Sequence, residues 1–194
     1  MRIINFIKHL YLGKRVFIIL AALIVLFLFS YWWHSLFSIA LLGAFFLNIA
    51  FLYDVIILFR KKDAISASRK LPEKFSNSDL NEVPLEIQSK YRFNTRFSVI
   101  DEIPVQFQKR DFLKTGSIPP RGKTSLNYQL RPVERGVYTF GRLNIYISSP
   151  LKLAKRRFTF GKDQEVKVYP SFIQMKKYAF LAIDNKLTQF GLKK

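Results

Sequence analysis

From Val16 to Trp33 the chain runs eighteen residues, "VFIILAALIVLFLFSYWW", without a charge. At 1.5 Å of rise per residue such a helix reaches roughly 27 Å, close to the hydrocarbon thickness of a bilayer. After His34 and Ser35 a second apolar run covers residues 36–53, and "DVIIL" prolongs it to 58. Backbone in lipid must be hydrogen-bonded within its own helix. Two runs this close therefore predict a tight transmembrane hairpin, with spans at about 16–33 and 36–58 inside an anchoring unit 1–62.

Charge at the flanks orients it. Arg2, Lys8, Lys14 and Arg15 precede the first span, and Arg60, Lys61 and Lys62 follow the second, while the turn between them has no Lys or Arg. The positive-inside rule then places both termini, and all of residues 63–194, in the cytoplasm, with Trp32 and Trp33 anchoring the outer interface. A cleaved signal peptide fits less well, because the apolar core is long and no small-x-small cleavage site follows. Ala21, Ala22, Ala40, Gly43 and Ala44 are small enough for close helix approach, and Asn48 is placed to bond across the pair. Asp54, the one acid in this segment, reads as an interfacial residue snorkelling beside Arg60. Two spans suit an anchor, not a pore.

The remainder is bounded by what it lacks. The chain has no cysteine, and both histidines, His9 and His34, lie in the membrane part. Disulfides, Ser-His-Asp and Cys-His nucleophile systems, and Cys- or His-ligated metals are thereby excluded from residues 63–194. No cofactor, no metal and no catalytic activity are expected.

From residue 83 the apolar period becomes two. Val83, Leu85 and Ile87 share one face; Phe97 and Val99, with Ile103, Val105 and Phe107 at the same parity, then Leu126, Tyr128 and Leu130, and Val166 and Val168, repeat the pattern between Pro, Gly and polar turns. Short alternating runs so punctuated predict an all-β antiparallel, immunoglobulin-like sandwich over 83–170. Residues 63–82 are polar and weakly periodic, and read as a linker. In 171–194 the alternation is lost, and Phe172, Ala179, Ile183, Leu187 and Phe190 fall near helical spacing, which predicts a short C-terminal amphipathic helix or a linker to a further domain.

The densest stretch is "YQLRPVERGVYTFGRLNIYISSPLKL", residues 128–153. Pro132 ends one strand and Gly136 permits a tight reversal, at which Arg135 is placed to bond backbone carbonyls. Tyr138 and Phe140 point one way on even numbers, whereas Leu143, Ile145 and Ile147 take odd ones, so a β-bulge is expected at Gly141-Arg142. Pro150 closes the strand, because it cannot donate to a ladder.

This stretch also resembles the signature of a bacterial family designated only as domain of unknown function fifty-eight, whose pattern is Y-x-L-x-P-x-x-R-G-x-Y-x-F-G, a strand, (S/D)-P-L and a basic pair. Tyr128, Leu130, Pro132, Arg135, Gly136, Tyr138, Phe140, Gly141, Pro150 and Leu151 match it, as do "DEIP" (101–104) and "VKVYP" (166–170). Lys152 departs, since many relatives have Gly there. The resemblance implies a helical hairpin, a sandwich and then a von Willebrand A-like domain, in a family often encoded beside MoxR-type AAA+ ATPases. The chain ends at "TQFGLKK" (188–194), where that domain would begin. Either it is part of a longer protein or it is a short relative, and no site of an A-like domain carries over.

Other motifs are weaker. "RGKTS" (121–125) imitates the end of a P-loop, but Ser117 stands where the first glycine belongs and a strand follows, so a turn is the better reading. Residues 63–194 hold 25 Lys and Arg against 12 Asp and Glu, a net +13. "KLAKRRFTFGK" (152–162) and "YRFNTRF" (91–97) interleave cations with aromatics, as single-stranded nucleic acid binders do. A solvated face beside an anionic leaflet accounts for them better. Asp101 and Glu102 are adjacent and point to opposite faces of a strand, which does not suit paired acid–base work.

Together these features predict a scaffold or interaction module at the bacterial inner membrane, contacting lipid and protein partners such as a MoxR-type AAA+ ATPase and other A-like proteins. Two alternatives remain: a membrane-tethered nucleic-acid binder, and the anchor of an enzyme whose catalytic part lies downstream.

Overall fold

The computed structural model of the protein describes residues 2–108, 112–171 and Leu181. The expected C-terminal helix within 171–194 lies outside them apart from Ser171 and Leu181. Helix α1 (Arg2–His9) leads into a short strand, β1 (Leu10–Leu12), and then into α2 (Lys14–Phe29) and α3 (Ser35–Phe59). α2 starts two residues before the expected span and ends four before it. The Ser30 hydroxyl donates to Phe27 O at 2.6 Å, and Tyr31, Trp32 and Trp33 fall in an exposed turn over 30–34. A serine that bonds back to a carbonyl competes with continuation of the helix.

α2 and α3 touch where the side chains are small. Ala40 is fully buried, and a Cβ added at Gly43 would lie 3.0 Å from Leu23 Cδ2. Phe27 and Phe37 meet edge to face at 6.0 Å. Asn48 does not reach across: its Nδ2 donates to Ala44 O, one turn back in α3, at 2.9 Å. α3 is long and apolar enough to cross a membrane, with a mean hydropathy of 2.2, and large side chains on both helices, such as Ile18, Leu28, Phe45 and Phe46, are exposed.

The other strands are β2 (Ile65–Arg69), β3 (Lys74–Ser76), β4 (Asn81–Ser89), β5 (Thr95–Asp101), β6 (Lys114–Ile118), β7 (Lys123–Leu130), β8 (Gly136–Phe140), β9 (Leu143–Ser148), β10 (Ala154–Phe160) and β11 (Gln164–Tyr169). They form a five-stranded sheet, β1-β10-β9-β5-β6, and two three-stranded sheets, β2-β4-β7 and β3-β11-β8. Pairing is antiparallel except between β3 and β11, which run parallel. One core joins all three sheets, with Val83, Leu85 and Ile87 of β4, Val99 of β5, Phe140 of β8 and Ile145 and Ile147 of β9 almost wholly inaccessible.

Three expectations are corrected. Residues 63–82 are not a linker: they hold β2, β3 and the start of β4, because Ile65 and Phe75 are buried in the core although a serine follows each. The parity of Ile103, Val105 and Phe107 does not extend β5. Residues Val105–Phe107 form a 3-10 turn that buries Phe107 and leaves Val105 88% exposed. No bulge lies at 141–142 either. β8 and β9 belong to different sheets, so the change of parity is the chain crossing from one to the other.

Candidate functional site

The last turns of α3 do not stand clear of the sandwich. Phe51, Val55 and Phe59 pack on its core, and Leu58 is fully buried within it. Asp54, expected at an interface beside Arg60, is fully buried instead. Its Oδ2 accepts the Ser149 hydroxyl at 2.5 Å and the Leu153 N–H at 3.0 Å, and its Oδ1 accepts the Leu151 N–H at 3.3 Å. Ser149 Oγ in turn accepts the Ala154 N–H at 3.1 Å. The carboxylate thus organises the whole turn between β9 and β10. A buried carboxylate is tolerated only when donors replace its water, and this turn supplies three.

The same turn holds α2. Gly13 donates its N–H to Leu153 O at 2.7 Å, and a Cβ at Gly13 would fall 2.0 Å from Lys152 O. Only glycine permits that approach. Lys152 itself takes φ +63°, a left-handed conformation that glycine adopts at least cost.

Beyond Asp54 the C-terminal end of α3 is capped by side chains. Arg156 Nη1 donates to Leu58 O and Lys61 O, both at 2.7 Å, and its Nη2 donates to Lys62 O at 3.1 Å. Its guanidinium lies between the rings of Phe59 and Phe158, 4.6 and 4.4 Å from their centroids. A cation here meets both the unpaired carbonyls and the negative end of the helix dipole. Tyr91 adds a further donor, its hydroxyl reaching Leu58 O at 2.7 Å. Burial raises the Tyr91 phenol from 10.0 to about 12, against the opposing pull of Arg156. The basic and aromatic run 152–162 is therefore not simply a solvated face, since Arg156 and Phe158 turn inward to hold the helix.

A second buried polar cluster ties the sheets together. Arg69 of β2 forms an ion pair with Asp101 at the end of β5, the two side chains being 4% and 0% exposed. The Tyr128 hydroxyl of β7 donates to the other Asp101 oxygen at 2.5 Å. Arg69 also donates to Gly141 O at 3.1 Å and lies over the Phe140 ring at 4.9 Å. Burial raises the Asp101 carboxyl, opposed by Arg69 and by the Tyr128 hydroxyl. Burial, and then the Asp101 carboxylate, raise the Tyr128 phenol strongly. Next door, Glu102 accepts the Arg142 N–H at 2.9 Å and Asn144 Nδ2 at 2.8 Å, which fixes the crossing from β8 to β9.

The residues singled out in 128–151 fall into three groups that do not share a cleft. Tyr128, Phe140 and Gly141 surround Arg69 and Asp101. Pro150 and Leu151 belong to the turn that receives Asp54. Pro132, Arg135, Gly136 and Tyr138 form the corner between β7 and β8. There Gly136 has φ +144°, Pro132 O accepts the Ser78 N–H at 2.8 Å, and the Tyr138 hydroxyl donates to Glu134 O at 3.0 Å. Arg135 is exposed, and makes no hydrogen bond or ion pair among the described residues, so Tyr138 fills the role expected of it.

Sequence reasoning missed Arg69, Ser149 and Arg156. Arg69 was visible only as an inward position of "ISASR", in step with Ile65 and Ala67. Among the described residues no three His, Cys, Asp or Glu side chains gather as metal ligands. The carboxylates of Asp54 and Asp101 are engaged by fixed donors. What the arrangement does is hold two bodies in one orientation.

No family model matches the sequence, and no curated protein resembles it significantly. Among solved structures, the chain is similar to the ASH/PapD-like domain 7 of human CEP192, at TM-score 0.42 and 12% identity, over 56% of this chain and 87% of that one. It is also similar to the CARDB domain of the PF1109 protein from Pyrococcus furiosus, at TM-score 0.36 and 14% identity, over 55% and 94%. Escherichia coli alpha-2-macroglobulin matches at TM-score 0.40 and 16% identity, over 56% of this chain and 10% of that one. Likenesses this distant say nothing of function.

Proposed function

We propose that the protein is a membrane-anchored scaffold, its sandwich facing the cytoplasm and offering surfaces to protein partners, with no catalytic site of its own. One observation carries the reading: the apolar helix α3 is fixed to the sandwich by the buried Asp54 and by Arg156. A tether needs no such fixture. A support that must present a surface at a set height and angle does.

The dimensions support an α2–α3 hairpin that crosses the bilayer. Ser35 to Tyr53, ahead of the docked carboxylate, would reach roughly 28 Å, a hydrocarbon thickness. The basic flanks put the sandwich on the cytoplasmic side. The resemblance carried by residues 101–104, 128–151 and 166–170 makes a MoxR-type AAA+ ATPase and von Willebrand A-like proteins the expected partners. The inward turn of Arg156 and Phe158 takes support away from a nucleic-acid binder.

The chain has no native cysteine, so single-cysteine mapping tests the topology directly. Ser35→Cys, in the turn, is expected to react with a membrane-impermeant maleimide in intact spheroplasts, and Ser125→Cys, on β7, only after lysis. The reverse pattern would remove the cytoplasmic assignment, and equal labelling would remove the hairpin. A photoreactive group at position 125 in native membranes is expected to capture an AAA+ ATPase; capture of nucleic acid would favour the rival reading.

A further inference from the structure

On the outer face of the five-stranded sheet, beside the start of α2, lies an open cleft of about 510 Å³. Five cations line it: Lys14 and Arg15 in the first turn of α2, Arg96 of β5, Lys152 of the turn before β10, and Lys155 of β10. Ser98, Ser117 and Ser148 also line it, as do Phe97 and Gly116. Among the described residues no carboxylate lines the cleft and none of the five cations is in an ion pair.

The backbones that carry the five cations are fixed to one another: Gly13, next to Lys14, packs against Lys152 and Leu153, and β9 pairs with both β10 and β5. Lys152 is held there in a left-handed conformation, which is unfavourable for a non-glycine residue. Its ammonium is held below its ordinary value by burial and by the nearby Arg96 and Arg15. Cations crowded in a cleft raise the local concentration of anions there. Lysine and arginine donors together with serine hydroxyls suit phosphate oxygens.

The position of the cleft narrows the source of the phosphate. Lys14 and Arg15 are followed at once by the exposed apolar side chains of Phe17 and Ile18, 58% and 68% accessible. A phosphate in the cleft would therefore sit where polar surface passes into apolar helix, with room for acyl chains along α2. We propose that this cleft binds the phosphate of an anionic phospholipid headgroup in the leaflet that α2 enters. The proposal rests on the membrane reading above.

The test uses the full chain in neutral detergent micelles. Its thermal unfolding is followed while short-chain phosphatidylglycerol, short-chain phosphatidylcholine or inorganic phosphate is added. Phosphatidylglycerol is expected to raise the unfolding temperature saturably, with phosphatidylcholine and inorganic phosphate giving no saturable rise. Arg96→Gln with Lys155→Gln should weaken the phosphatidylglycerol response at least tenfold. Lys123→Gln with Lys167→Gln, two exposed cations outside the cleft, should leave it unchanged. Native mass spectrometry of retained lipid checks the same variants without reference to their stability.

An equal response to phosphatidylcholine, or a full response in the Arg96/Lys155 variant, would overturn the site. An equal response to inorganic phosphate would overturn the lipid assignment in favour of a soluble phosphate compound. Alkaline carbonate extraction of cell membranes tests the membrane reading separately. Release of the chain by carbonate would overturn that reading, whereas a carbonate-resistant chain with no phosphatidylglycerol response would overturn the cleft alone.

Discussion

Asp101 illustrates how costly single side chains are at the centre of this sandwich. Its carboxylate faces Arg69 on one side and Tyr128 on the other, with no access to water. Asp101→Leu would leave a guanidinium buried without a counter-charge, and is expected to cost about 3–5 kcal/mol in denaturant unfolding of the detergent-solubilised chain. Replacing the group as a whole, with Arg69→Met, Asp101→Leu and Tyr128→Phe, should cost less than Asp101→Leu alone, because a buried ion pair returns little once its desolvation is counted. A triple variant weaker than the single one would show that the cluster stabilises the fold outright. Tyr91 gives a pH signature. Its phenol ionises near 10.0 in the unfolded chain and near 12 in the folded one, so folding favours the protonated form. That contribution is complete below pH 10 and is lost as pH rises to about 12. Tyr91→Phe should therefore flatten the fall of unfolding free energy with pH across this window. Tyr128, whose phenol is also raised, contributes to the slope in both proteins, so the quantity to compare is the difference.

At the scale of elements, the critical joint is between α3 and the turn before β10. Asp54→Ala removes the acceptor for one hydroxyl and two backbone N–H groups, and hydrogen bonds to charged groups contribute about 1.5–3 kcal/mol each. Hydrogen exchange is expected to lose protection at residues 149–154 and in the last turns of α3, with β4 and β7 unaffected. Uniform loss of protection would mean that the joint and the sandwich unfold as one unit. This joint was not legible in the sequence. Asp54 stands out as the lone acid of an apolar segment, but its partners lie 95 to 99 residues away and two of them are backbone N–H groups, which no side-chain pattern reveals. The alternating strands β4, β7 and β11 were legible, because each buries one clean parity against the core. β2 and β3 were not, since Ser66 and Ser68 dilute the one and three residues make up the other. At 141–142 the change of parity predicts a bulge, whereas the chain crosses there from one sheet to another, and periodicity alone does not distinguish the two.

Across the whole molecule, both apolar helices are pinned to the sandwich through one turn, α2 by Gly13 and α3 by Asp54. Their rotation about their own axes is thereby set. Each residue inserted in a helix turns what lies beyond it by about 100° and lengthens it by 1.5 Å. One alanine inserted between Tyr53 and Asp54 should swing Ala40 and Gly43 away from α2 and lower the thermal stability of the purified chain. Four inserted residues, about 40° more than a full turn, should be better tolerated than one despite the greater length. Tolerance that falls steadily with length would show that depth, not rotation, is what the joint sets. The joint also has a place in time. Asp54 leaves the ribosome 95 residues before Ser149, so on the membrane reading proposed above the helices enter the bilayer while the carboxylate has none of its final partners. Attachment can close only when β9 and β10 have been made, which makes the seating of the helices a late report that the sandwich has folded.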